Sequence, residues 1–150
     1  MSGDSNRDNT SYCGLWCLDC IPSYEELFST VEKLKGILNE THFKSYAEYK
    51  SNKVKEFQQY DVFLEVLNAF EKIRCYKGPH SVAGCASDCK IRQCCLEKEI
   101  DGCWRCEQYH NCESIIGMSE MHPDIVNNLD ILHKNGINRW KNARGKHYNF

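Results

Sequence analysis

No apolar run in the 150-residue chain approaches the ~18–20 residues that a bilayer-spanning helix needs. The N-terminus, MSGDSNRDNTS, is polar and carries acids, so it matches neither a secretory signal nor a transit peptide. The expectation is a cytosolic chain with residues 1–10 as a disordered lead and 11–150 as one domain. A net charge of −2 supplies no global field to draw nucleic acid or an anionic membrane. The six histidines form no HExxH motif, no Gly-rich loop follows a strand, and no serine sits in a nucleophile elbow. Carboxylates are plentiful, but nothing pairs them into an acid–base set. With no catalytic constellation to name, the reading leans away from an enzyme. There is also no convincing strand pair, low-complexity linker or internal repeat.

What the chain has is cysteine. Of eleven cysteines, seven fall between Cys85 and Cys112, in CASDCKIRQCCLEKEIDGCWRCEQYHNC. Cys13, Cys17 and Cys20 lie in YCGLWCLDC, and Cys75 stands alone between the two groups. An odd count excludes a framework in which every cysteine pairs within one chain. In a reducing cytosol disulfides do not persist, so CxxC pairs point to metal ligation or redox chemistry.

The rest reads as helix. Ser23 with Glu26 has the form of a capping box, followed by Leu27, Val31, Leu34 and Leu38 at helical spacing, with an end near Asn39–Thr41. Ser45 with Glu48 opens a second segment whose larger apolar groups are Tyr46, Tyr49, Val54 and Phe57. Asp61 is placed to cap a third, VFLEVLNAFEKIRCY. There Val62, Val66, Ala69, Phe70 and Ile73 share one face with Phe63 and Leu67 beside it, this helix is expected to centre the core, and Gly78-Pro79 ends it. Ser87 or Asp88 caps a short helix over CKIRQCCLEKE, and Gly102 turns the chain into Cys103. Pro123 sits in the first turn of DIVNNLDILHKNG, with Ile125, Leu129 and Leu132 inward and Gly136 as the stop. INRWKNARGKHYNF contributes one further helix containing Trp140. The expected fold is mainly α: a small single domain of about five helices with cysteine-rich metal-binding knuckles.

Cys13, Cys17 and Cys20 fall at i, i+4 and i+7, on one face if helical; in a turn, the CxxC pair still aims two thiols at one point. Cys85 and Cys89 are one helical turn apart, and Cys103–Cys106 is a second CxxC. Thiolates bind zinc or iron tightly, and short paired spacings bring four together. A structural zinc supplies ~10–16 kcal/mol against a total fold stability of ~5–15 kcal/mol. One ion could therefore decide whether a domain of this size folds. Lys90, Arg92, Lys98 and Arg105 would offset the charge of a four-thiolate centre. The bland alternative is that buried thiols act only as small hydrophobes.

The spacing Cys-x3-Cys-x2-Cys is also that of radical S-adenosylmethionine enzymes, but those need a long α/β barrel that this short helical chain cannot supply. Trp16-Cys17-Leu18-Asp19-Cys20 superficially matches a thioredoxin-like motif. It lacks the βαβ context, and Asp19 between the thiols disfavours the reactive thiolate. Zinc and an ordinary [4Fe–4S] cluster both stay open.

Tyr12-Cys13-Gly14-Leu15 with Cys17 and Cys20 resembles the CGLxCxxC opening of the cysteine-rich family known as domain of unknown function 3795. Cys89-Lys90-Ile91-Arg92-Gln93-Cys94, Glu97-Lys98, Cys103-x-x-Cys106 and Cys112 resemble its CxIRxCAxEKG, CxxC and final Cys. Asn128-Leu129 through Gly136 to Trp140 resembles its usual ending, and the resemblance implies that residues 23–74 are a variable helical insert. The resemblance implies a cytosolic, prokaryotic-type, metal-binding protein with no assigned reaction. Three positions depart from the pattern. Cys75 lacks the close partner of the family's CxGC, Cys95 stands where a small apolar residue is usual and is read as packing, and His110 is read as solvent-facing.

The expected ligands are Cys13, Cys17, Cys20, Cys85, Cys89, Cys94, Cys103, Cys106 and Cys112, one more than two four-cysteine sites need. The N-terminal trio and the Cys85–Cys112 stretch should meet at one or two zinc ions in a binding or accessory module. An iron–sulfur carrier with a redox role is the alternative, and an unidentified protein partner fits either. No acid follows Asp130, while Lys134, Arg139, Lys141, Arg144 and Lys146 are basic. That stretch suits a nucleic-acid contact less well than a solvated last helix with Trp140 in the core.

Overall fold

A computed structural model describes residues 5–75 and 88–150. The Gly78-Pro79 stop, Cys85 and the Ser87 cap lie outside those residues, as do residues 1–4 of the lead. Among the described residues the fold is all helical. Eight α-helices run as α1 (Ser5–Asp8), α2 (Glu25–Glu40), α3 (Phe43–Lys50), α4 (Tyr60–Ile73), α5 (Lys90–Glu97), α6 (Glu113–Met118), α7 (Ile125–Asn135) and α8 (Ile137–Trp140). Five 3₁₀ turns accompany them, and the one β-like feature is an isolated antiparallel bridge between Thr10 and Trp16. None of these helices is long and apolar enough to cross a membrane.

The chain divides into two compact units, residues 1–23 with 75–150, and residues 24–74. The second unit contains α2, α3 and α4. Phe28 and Ala47 are its best-buried apolar groups, joined by Tyr60 and Leu67. Phe43 packs edge-on against Phe57 and tilted against Tyr60, which closes α3 onto the start of α4. Arg74 bonds Glu25 and Glu32 across the unit and lies over the Phe28 ring.

Several expectations fail in this unit. Val62, Val66 and Ile73 are about half exposed, so the buried stripe of α4 runs through Tyr60 and Leu67 instead. Leu34 is exposed in α2, as are Tyr46 and Tyr49 in α3 and Val54 in the linker beyond it. α3 starts at Phe43, two residues before the Ser45 signal, after His42 in a left-handed conformation.

Nor does α4 centre the core. The main apolar cluster belongs to the first unit and is built on α7, where Ile125, Leu129 and Leu132 are at most 1% exposed. Around them pack Leu15, Trp16, Ile91, Cys95, Trp104, Ile115 and Trp140. Trp140 is fully buried, meets Trp16 edge-on and donates its indole N–H to the buried Thr10 hydroxyl at 3.0 Å. The α7 stripe has the expected period, and Gly136 at φ +73° ends the helix.

Residues 5–10, expected within a disordered lead, form α1 and then bury Thr10 completely. α6, which carries the buried Ile115, had no counterpart in the expected helices.

The last residues are strapped along α7. Asn128 and Asp124 accept the backbone N–H groups of Gly145 and Lys146, and Asn149 N–H donates to Met121. The basic tail is therefore not wholly solvated: Arg144 holds Asp19 through two nitrogens and lies over the Trp16 ring.

Candidate metal centre

Both CxxC segments adopt the same local fold. Cys17–Asp19 and Cys103–Arg105 are single 3₁₀ turns, and the N–H of Cys20 or Cys106 returns to the carbonyl of Cys17 or Cys103 at 3.1 and 2.9 Å. The closing residue is extended in both, at φ/ψ of −83°/128° and −91°/129°. A third turn, Tyr109–Asn111, ends in the same way at Cys112. Cys13, Cys17 and Cys20 thus do not share a continuous helix; the turn alternative holds for Cys17 and Cys20.

Ser23 does not form the expected capping box. Its hydroxyl donates to the carbonyls of Cys17 and Cys20, and α2 starts after Tyr24 without a side-chain cap. A hydroxyl occupied as a donor to the knuckle is turned away from the helix N–H groups that a cap must satisfy.

Two glycines set how closely the knuckles approach the core. Gly14, at φ +79°, brings the N-terminal loop so near α7 that an added Cβ would lie 2.8 Å from Leu129 Cδ2. Gly102 lies under the Trp104 ring, where a Cβ would fall 1.9 Å from Cζ3. The two cysteine-bearing stretches meet through backbone, Cys103 N–H donating to Tyr12 C=O at 2.8 Å. His133 on α7 donates its Nδ1–H to the Trp104 carbonyl at 2.9 Å and fixes the second knuckle from behind.

In front of that knuckle is a cavity of about 360 Å³, lined by Cys94, Cys95, Cys103, Cys106 and Cys112 together with Lys98, Ile100 and Tyr109. Four of the nine expected ligands therefore share one cavity, joined by Cys95, which had been read as packing. Cys95 packs in the main apolar cluster at 1% exposed, as expected, and also forms a wall of this cavity. Ile91 and Cys95 are i and i+4 on α5, both buried, whereas Cys94 lies one step round the helix and is exposed.

The Cys95 and Cys103 sulfurs are 3.7 Å apart. Hydrogen bonding to Cys95, burial and the neighbouring thiolate charge push the Cys103 thiol far above the ordinary thiol range. Without a cation beside it, Cys103 stays protonated. On the rim, Lys98 Nζ lies 3.7 Å from Cys106 Sγ. The charges of Cys106 and then Cys94 push the Lys98 pKa up, holding its ammonium charged.

The other expected ligands lie elsewhere. Cys89 lines a separate shallow depression beside Glu113 and Met118. Cys13 Sγ is 3.1 Å from the Ser11 hydroxyl. Cys20 Sγ accepts the Tyr148 hydroxyl at 3.5 Å, and burial pushes the Cys20 thiol up. Cys85 is outside the described residues. His110 is exposed, stacks on Tyr109 and pairs with Asp130 at 2.8 Å, as a solvent-facing histidine does. Among the described residues no group of three or more Cys, His, Asp or Glu side chains converges tightly enough to hold a metal ion. All ten described cysteines are thiols rather than disulfides.

The donor chemistry in the cavity suits a thiophilic cation. Tetrahedral zinc with Zn–S bonds of ~2.3 Å places adjacent sulfurs ~3.8 Å apart, close to the Cys95–Cys103 separation. The family model described as "Protein of unknown function (DUF3795)" matches residues 9–117. No curated protein and no solved structure matches the chain.

Proposed function

The chain belongs to the DUF3795 family, proteins of unknown function, and on that premise we propose that it is a thiolate zinc-binding module whose centre is the Cys94–Cys112 cavity. The observation that supports this most is the pair of buried sulfurs at tetrahedral spacing in a cavity lined by three further thiols. Cys95 and Cys103 form the inner edge of the site. Cys106 and Cys112, both half-buried at the closing positions of their 3₁₀ turns and both lining the cavity, would complete four ligands. Cys94, on the exposed side of α5, stays outside the set.

A bound zinc supplies a four-way crosslink between α5 and the two turns. The chain's own residues do the rest. Burial and the Cys95–Cys103 contact hold a proton on Cys103 until a cation arrives, so metal uptake releases protons and strengthens as pH rises. Lys98 offsets part of the charge of four thiolates. Gly102, Trp104 and His133 fix the turn that carries Cys103 and Cys106. Closed four-cysteine zinc sites hold folds together, so the module works in a reducing compartment as a binding or accessory element.

Chelator treatment of the purified chain tests the stapling. All three tryptophans (Trp16, Trp104 and Trp140) lie in the first unit, so their fluorescence reports that unit alone. Metal removal should lower its unfolding midpoint, and zinc should restore it. A midpoint unchanged by chelation would defeat the reading.

A further inference from the structure

The chain leaves the first unit after Ser23 and returns to it at Cys75. The two crossings are tied by backbone, because Cys75 N–H donates to the Pro22 carbonyl at 2.7 Å. Cys20 is two residues from Pro22, inside the turn closed by Ser23 N–H on Cys20 C=O at 3.0 Å. That turn is further pinned by the Ser23 hydroxyl on the Cys17 and Cys20 carbonyls. Tyr148 holds it too, accepting Ile21 N–H at 3.1 Å while donating to Cys20 Sγ. Cys20 and Cys75 are both half-buried thiols. The Cys75 backbone bond to Pro22 brings the returning chain to within two residues of Cys20 in sequence, and Cys75 acts on the Cys20 thiol after burial and the Tyr148 contact. Neither lines the proposed zinc cavity.

We propose that Cys20 and Cys75 are a reversible disulfide site, formed by exchange with a low-molecular-weight disulfide. Cys75 opens the exchange. Its thiolate attacks one sulfur of the external disulfide, forming a mixed disulfide and expelling one external thiolate. The Cys20 thiolate then displaces the second. The two protein thiols lose two protons and two electrons in total, and the external disulfide leaves as two thiols. The bond closes a covalent loop over residues 20–75, which contains all of Tyr24–Arg74. It therefore ties the incoming and outgoing chain of the helical unit at one point. Its energetic effect falls mainly on the unfolded chain, whose loop it constrains.

The test treats the zinc-loaded full chain with oxidised glutathione and maps disulfides by mass spectrometry under non-reducing conditions. The expected product is two hydrogens lighter, carries no glutathione, and yields a peptide linking Cys20 to Cys75. C20S, checked for a wild-type helical circular-dichroism signal, should instead stop at a stable glutathione adduct on Cys75. Three results would overturn the site: a persistent glutathione adduct in the wild type, a link from Cys20 to Cys17, or thiols at 20 and 75 that react only after chelation. The last would make them metal ligands. If C20S does not fold, the wild-type map alone still decides.

Discussion

Gly102→Ala should damage both the first unit and its proposed metal site. The alanine Cβ would fall 1.9, 2.3 and 2.4 Å from three atoms of the Trp104 ring. Ordinary contact begins near 3.4 Å, so 3.4 − 1.9 leaves about 1.5 Å for the ring to yield. The clash is with the plane of a rigid indole, which cannot relieve it by moving a flexible tip. Trp104 is 4% exposed, and its own carbonyl is held by His133. Overpacking costs ~1–3 kcal/mol and complete loss of a buried aromatic ~3–5 kcal/mol. A partly displaced Trp104 should therefore cost about 2–4 kcal/mol, or roughly 4–16 °C in melting temperature for a chain of this size. Tryptophan-monitored urea unfolding reads this in the first unit. Gly117→Ala is the matched control, since nothing lies within 4 Å of its added Cβ and it sits inside α6. It should be neutral or stabilising by up to ~1 kcal/mol. If Gly102→Ala is as stable as Gly117→Ala, the packing of the second knuckle on Trp104 is wrong. Zinc affinity should fall with stability in Gly102→Ala, because Cys103 is the next residue.

Two further outcomes follow from buried polar groups. Burial and the hydrogen bond to Asp130 push the Tyr109 hydroxyl up to about 12, and burial with the Cys20 contact pushes Tyr148 up to about 12 as well. The neutral forms are favoured in the fold, so their stabilisation is complete below pH ~10 and is lost as pH rises from there to about 12. Phenolate absorbance should resolve two late tyrosines, and titration of all eight together near pH 10 would refute this. Thr10→Val removes the acceptor of the fully buried Trp140 N–H. It should cost ~1–3 kcal/mol in urea unfolding, and an unchanged midpoint would count against the bond.

How much was legible depended on whether a local pattern had one interpretation. Ile125, Leu129, Leu132 and Gly136 repeat and stop as a single-faced helix must, and α7 follows them residue by residue. In α4 apolar residues run nearly all the way round, so the pattern allows two stripes. The stripe through Tyr60 and Leu67 is the buried one, with Tyr60 against Phe43, while Phe70 of the expected face still meets Phe28 edge-on. Ser23 and Glu26 satisfied the capping-box spacing, yet Ser23 found a pair of carbonyls in the preceding knuckle, a long-reach preference that spacing cannot encode. The Cys94–Cys95 doublet could be phased only once the start of α5 was known, since adjacent helical residues cannot share a face. The clustering of Cys103, Cys106 and Cys112 was legible because each closes or opens a tight turn within ten residues, whereas Cys89, at the N-cap of α5, lines another depression.

The most direct measurement is cysteine-by-cysteine alkylation of the anaerobically purified chain with and without its metal, together with metal content and a visible spectrum. The account predicts a colourless protein containing zinc, in which the metal shields Cys106 and Cys112 strongly, keeps the buried Cys95 and Cys103 unreactive, and leaves Cys94 open. Brown protein containing iron and sulfide would replace zinc with the iron–sulfur reading. Metal-dependent shielding of Cys13, Cys17 and Cys20, with Cys106 and Cys112 unaffected, would contradict the placement of the site.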